Sequence, residues 1–359
     1  MCRMSGRDEA DQLALFPGLM PEKARKKGVE PAEVPEDVRQ LGRDLPPEIR
    51  LGGSTWSFPG WMGLVWSGKY SESRLANEGL AAYARHPLLR GVGLDRTYYQ
   101  PLEAREFAEY AAAVPESFRF LVKAQEVLTV SRWPDWPRYG AHRGQVNPLF
   151  LDAAYAADQV VAPYVEGLGT KGGALLFQLA PQDLGVPEKF ADELHAFLAA
   201  LPRGPVYAVE LRNREALTRA YADALAATGA VHCHNVHPRM PDVRTQARLT
   251  GSNRPGAPAT IIRWLLGPGM TYEQAGRTYA PFDRIQKEDP AARKALAELI
   301  REAHAAGRPV LCTVNNNAEG CAPLSIVELT REIVSPSPPD PLSHPRPPTG
   351  RGGTISAGS

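Results

Sequence analysis

The sequence predicts an α/β fold: a (β/α)8 barrel of the TIM type, in a single domain with disordered N- and C-terminal tails. Three observations carry this expectation. Short apolar, β-branched runs alternate eight times with longer, mostly helical segments, and strands separated by helices pair in parallel through right-handed crossovers. The stretch 48–334 is slightly longer than one such barrel typically needs. No G-x-G-x-x-G opens a helix after the first run, which sets aside an open doubly wound sheet.

In chain order, the strand-like runs are 49–55, 91–97, 118–124, 173–179, 205–212, 230–236, 259–265 and 309–316. Helical spacing appears over 73–86, 103–113, 148–165, 187–201, 215–228, 290–306 and 322–334, where apolar residues recur three and four apart. The segment 238–258 is read as lacking a helix. Residues 1–47 read as a flexible tail, with charges of both signs interrupted by Pro17, Pro21, Pro31, Pro35, Pro46 and Pro47. Residues 335–359 hold seven prolines and almost nothing to bury, so they cannot offset their ordering entropy.

Composition narrows the function classes. Lys and Arg total 41 against 40 Asp and Glu, a net charge of +1, which lacks the electrostatic footprint of a broad nucleic-acid surface. The hydrophobic share of 43% suits a full globular core. Cys2, Cys233, Cys312 and Cys321 are too widely spaced for a paired zinc site and too few for a disulfide scaffold. The N-terminus is charged where a signal peptide is apolar, and no run approaches the ~18 apolar residues of a membrane span. The expectation is a soluble cytoplasmic protein that is not bound to a membrane.

In such barrels the chemistry gathers where strands end. Here those ends carry Trp56, then Asp95, Thr97, Tyr98 and Tyr99, then Lys123, Gln178, Glu210 with Arg212, His232 with His234, Arg263, and Asn315 with Asn316. Glu210 and Arg212, two apart on a strand, share a face. On the barrel interior the guanidinium keeps the carboxylate ionised and oriented as a general base or acid needs. Glu210, Lys123 and Asp95 are therefore the catalytic candidates. Lys123 could form a Schiff base if desolvated, and beside Glu210 a counter-ion role is favoured. Arg212 and Arg263 suit a carboxylate or phosphate through their forked donors. Gln178, Thr97, Asn315 and Asn316 supply polar contacts, and Trp56, Tyr98 and Tyr99 supply flat walls for a sugar or base ring. The competing reading is a buried ion-pair network that only closes the barrel.

Seven motifs in series, GGSTWSFPGW (52–61), DRTYYQPL (95–102), FRFLVKA (118–124), LLFQLAP (175–181), VELRNRE (209–215), IIRW (261–264) and NNNAEGCAP (315–323), resemble the DUF72, or YecE-like, family. The resemblance covers about residues 50–334. It implies the same (β/α)8 barrel and brings no established reaction. Two departures stand out. Many members carry Glu in the second strand where this chain has Gly93, and others carry His where Asn213 stands. A scheme using carboxylates from strands two and five is thus incomplete here, with Asp95 two positions on as its partial substitute.

Three further features have competing readings. His232 and His234 are weak candidates for a divalent metal, against a core role, and no other cofactor is expected. Gly52–Gly53 and the Gly267–Gly269 turn could cradle phosphate through backbone N–H groups or could equally be turns, and the start of the last helix at Ala322–Pro323 is the preferred anion subsite. Gln12, Leu13, Leu15 and Phe16 resemble the peptide with which bacterial polymerases bind the sliding clamp, or else dock on the protein's own barrel. The leading expectation is an enzyme of hydrolase or lyase type acting on a small anionic, phosphorylated or sugar-like ligand. The alternatives are a DNA-maintenance accessory or metal-dependent nuclease tethered to the clamp through residues 12–16, and a non-catalytic anion-ligand sensor.

Overall fold

A computed structural model describes residues 28–252 and 254–335. Eight parallel strands close into a barrel in sequence order: β1 Ile49–Gly53, β2 Leu89–Leu94, β3 Arg119–Lys123, β4 Gly172–Leu179, β5 Tyr207–Leu211, β6 Val231–Val236, β7 Thr260–Trp264 and β8 Val310–Val314. β8 pairs with β1 from Ile49↔Val310 to Gly53↔Val314, so the sheet has no edge. The predicted (β/α)8 barrel is the observed fold.

Alternation along the strands sorts the side chains. Leu121, Ala174, Leu176, Ala208, Val231, Cys233, Ala259, Ile261 and Leu311 form one apolar cluster inside the barrel. The next inward positions toward the C-terminal rim are polar: Lys123, Gln178, Glu210 and Arg263. The apolar layer is a dry floor, and each large side chain in it contributes about 1.5–3 kcal/mol by burial. Outward residues such as Val92, Val122, Phe177, Val209, Ile262 and Val314 belong to a separate core between sheet and helices.

The helices follow from spacing and caps. Pro187–Ala200 starts with proline in its first turn and buries Phe190, Ala191, Leu194, Phe197 and Leu198, one face at helical intervals. Ala322–Val334 buries Ser325, Ile326, Leu329, Thr330 and Ile333 in the same way. Among the described residues no helix is long and apolar enough to cross a membrane.

Two sequence expectations are corrected. The segment read as lacking a helix contains Val243–Thr250, capped by Asp242, whose side chain accepts from the Arg244 and Thr245 amides at 3.0 Å each. Its buried face is Val243, Gln246, Ala247 and Thr250, while Leu249 is 47% exposed. The period is helical, but half of its buried positions, Gln246 and Thr250, are polar, so an apolar pattern does not reveal it. A short helix Tyr272–Tyr279 follows β7 as well, with a Thr271–Gln274 capping box.

The second correction concerns the tail. Residues 28–47 are part of the fold, with a helix Glu36–Asp44 that buries Val38 and is followed by the buried Leu45. Arg90, on β2, donates to the carbonyls of Gly42, Leu45 and Pro46, and Arg331 on the last helix pairs with Asp37 at 2.8 Å. At Gly42 a Cβ would lie 2.6 Å from Pro87 Cβ, so only glycine lets the helix approach this closely. Long-range partners, invisible in local composition, fix this segment. Residues 1–27, with the Gln12–Phe16 peptide, and 336–359 lie outside the described residues.

Candidate functional site

Three strands, β4, β5 and β7, bring their last inward side chains together. Gln178 on β4 and Glu210 on β5 are register partners, and Arg263 on β7 reaches across β6 to both. One Arg263 nitrogen donates to Glu210 Oε2 at 2.8 Å and to Gln178 Oε1 at 2.9 Å. The other faces Asp95, just after β2, at 3.3 and 3.4 Å. Arg212 Nε donates to Glu210 Oε1 at 2.9 Å, and its other nitrogens reach Gln178 at 3.3 Å and the Tyr272 hydroxyl at 3.4 Å. Glu210, wholly buried, therefore has each oxygen engaged by a different guanidinium.

The electrostatics follow from this packing. Burial alone would raise the Glu210 carboxyl, but Arg263 and Arg212 outweigh it and hold the group at about 2. Burial likewise pulls the Arg263 guanidinium down, but Glu210 and Asp95 outweigh it and raise the group above its ordinary value. Lys123 ends β3 with its ammonium 3.6 Å from the centre of the Tyr98 ring. Burial first, then Arg263 and Arg212, lower its amine to about 8 against the pull of Asp95 and Glu210. The Tyr98 phenol is pushed up by burial and by the Glu126 carboxylate.

Above these groups opens a cavity of about 660 Å³, with Asp95, Lys123, Gln178, Arg212, Arg263 and Asn315 at its base. Tyr98, Tyr99, Trp136, Arg138 and Tyr272 form its walls, and Tyr99 is 69% exposed. Asn315 accepts from the Asn317 amide at 2.9 Å through its side-chain oxygen. The inward position on β2 is Gly93, where a Cβ would already lie 3.0 Å from the Ser54 carbonyl. Asp95 brings the carboxylate that Gly93 cannot.

The structure moves several predicted residues away from the cavity. Trp56 is buried in the outer core, edge-on to Tyr110 at 5.3 Å. The Thr97 hydroxyl bonds the carbonyls of Leu94 and Lys123 at 2.9 and 2.6 Å, stitching the ends of β2 and β3 together. Asn316 Oδ1 accepts from the Ala322 amide at 2.9 Å and from Trp61 Nε1 at 3.1 Å. That bond occupies the amide of the last helix's first turn, where a phosphate was expected. Asn316→Ala should cost about 1–2 kcal/mol of unfolding free energy, since it orphans two buried donors. A urea midpoint equal to wild type would contradict this role.

His232 and His234 share a face, but it is the outer one. His232 is held between the Tyr221 hydroxyl (2.9 Å) and Gln246 Oε1 (3.0 Å), and His234 Nδ1 lies 3.3 Å from the Ile261 carbonyl. Burial lowers these imidazoles to about 4 and about 3. Among the described residues, no three His, Cys, Asp or Glu side chains gather as a metal site requires. The Gly53 amide is taken by Tyr83 at 2.7 Å and the Gly267 amide by the Asn317 carbonyl at 3.1 Å, so neither points at a ligand.

Sequence reasoning missed the loop after β3. Arg138 lies 5.0 Å from the Trp136 ring and 4.6 Å from Tyr139, and pairs with Glu126 at 2.7 Å, which Tyr139 also bonds. The signal was RWPDWPRYGAHR (132–143), dense in Trp and Arg within a long βα loop.

Comparisons with known proteins agree with this architecture. Residues 50–348 match the family model described as protein of unknown function DUF72. A DUF72 family protein from Enterococcus faecalis shows 18% identity and a TM-score of 0.54, with 80% of this chain and 96% of that one covered. One from Thermotoga maritima shows 19% identity and 0.54, covering 79% and 98%. No curated protein matches the sequence.

Proposed function

The chain belongs to the DUF72 family, and from that premise we propose that it is an enzyme of hydrolase or lyase type acting on a small anionic ligand at the C-terminal rim. One observation carries the reading: three cations, Lys123, Arg212 and Arg263, meet two carboxylates, Asp95 and Glu210, at the base of one cavity. The surplus positive charge, in a site closed to water on its lower side, favours a phosphate or carboxylate. The ring walls favour a ligand with a flat or sugar-like body.

The roles divide by exposure. Glu210 is fully hydrogen-bonded and lies beneath the lining, so it positions the two guanidiniums instead of moving a proton. Asp95, with 41% of its side chain exposed, is the carboxylate able to exchange protons with a ligand.

Inorganic phosphate and glucose 6-phosphate, each near a hundred times its dissociation constant, are expected to raise the melting temperature by about 5 °C. Arg212→Ala should remove most of that response. Failure of both anions to stabilise the protein, or an Arg212→Ala variant responding like wild type, would overturn the reading. Stabilisation without turnover of any anionic substrate would leave a sensor.

A further inference from the structure

We propose that Lys123 is a nucleophile that forms an imine with a small aldehyde or ketone bearing a phosphate or carboxylate group. The inference rests on the anion-binding reading above and adds the reactive atom and the carbonyl class of the ligand.

The surroundings of Lys123 differ from those of a structural counter-ion. Its side chain is buried yet lines the cavity base, so the amine is desolvated on one side and open to a ligand on the other. Among the described residues, no carboxylate oxygen comes within 4.0 Å of Nζ. Both nearby carboxylates are committed elsewhere, Glu210 to two guanidiniums and Asp95 to Arg263. The contact that holds the amine is the face of Tyr98 at 3.6 Å. A ring face attracts the desolvated ammonium by about 2 kcal/mol but offers no acceptor atom, so the nitrogen lone pair is available once a proton departs. Arg212 and Arg263, on the same cavity base, both disfavour the ammonium and can hold the ligand's anionic end. With the amine near 8, about half of it is neutral at pH 8, on the order of a hundredfold more than for a fully solvated lysine.

The step balances without a co-reactant. Neutral Nζ attacks the carbonyl carbon, an N–C bond forms, and the carbonyl π pair moves to oxygen. The two amine protons leave with that oxygen as water when the C–O bond breaks, giving the imine. Asp95, the carboxylate open to solvent beside it, can relay those protons. A further proton from solvent makes the imine an electron sink, as carbon–carbon bond cleavage requires.

The test is reductive trapping of the full-length protein. It is incubated with pyruvate or with dihydroxyacetone phosphate and sodium cyanoborohydride at pH 8, then read by intact mass and peptide mapping. The expected result is one adduct per chain at Lys123, formed about tenfold or more faster than at the exposed Lys69 or Lys189. Excess inorganic phosphate should slow it. Lys123→Arg, which keeps a cation at the cavity base, should abolish it, and Lys123→Met serves if the arginine does not fit. Phosphate stabilisation with no carbonyl adduct at Lys123 would overturn the imine and spare the anion site. Adducts spread evenly over surface lysines would also overturn it, and absence of both signals would end both readings.

Discussion

Glu210→Ala is expected to lower the free energy of unfolding by about 3–5 kcal/mol, because it leaves two mostly buried guanidiniums side by side without the carboxylate they share. Arg263 and Arg212 are 4% and 11% exposed at the side chain, and each spends a bond of 2.8 or 2.9 Å on this one carboxylate. Gln178 and Asp95 are the remaining acceptors for Arg263, and neither can neutralise both cations. The loss would read as a large fall in the urea midpoint with little change in slope. Replacing the pair together, Glu210→Leu with Arg263→Met, should recover part of it, since a buried ion pair exchanged for apolar volume is often close to neutral. A single-variant loss below about 1 kcal/mol would mean that water reaches the network and that Glu210 does not organise it.

A steep loss of stability on acidification from pH 6.5 toward 4 is the second large effect, and it comes from histidines outside the site. Burial lowers His86 and His232 to about 4 and His234 to about 3. Below the ordinary histidine value near 6.5 the unfolded chain takes up protons that the folded chain refuses. Folding is therefore favoured fully above that value and loses ground as pH falls toward the folded values. Each of these three buried imidazoles adds up to about 1.4 kcal/mol per pH unit, about 4 kcal/mol per unit together, and half-buried His237, also lowered to about 4, adds a smaller share. Glu210 works in a lower window. Its carboxyl is depressed to about 2, so its contribution is present above the ordinary glutamate value near 4.3 and disappears as pH falls toward 2. Urea titrations between pH 7.5 and 4.5 report on the histidines, and because His237 contributes as well, His86→Asn should reduce the slope by about a quarter to a third. A flat profile across that range would show that these imidazoles ionise within the fold.

The expected site was only partly legible, and the reason differs by residue. Glu210, Arg212, Lys123, Arg263, Gln178 and Asn315 sit at strand ends with inward parity, so the two-residue repeat of a strand placed them. His232 and His234 also share a parity, yet β6 turns it outward against Tyr221 and Gln246. Parity tells which residues share a face but not which face is inside. Cys233 and Ile261, packed on the inner cluster, settle that. Arg212 and Asn315, one residue past β5 and β8, still keep the strand's parity. Trp56 and Thr97 lie three residues past β1 and β2, where the chain has left the repeat, and Asn316 carries the outward parity of Val314.

The eightfold alternation by itself determined the barrel, because parallel strands need helical crossovers and eight such units close on themselves. It also determined which residue types reach the rim. Only the tertiary structure decided the docking of residues 28–47, the burial of both Glu210 oxygens, and the seat of Lys123 on the Tyr98 ring. Each of these is a contact between segments distant in the chain. Their strength depends on how much water the fold excludes around them, a quantity that exists only once the segments have met.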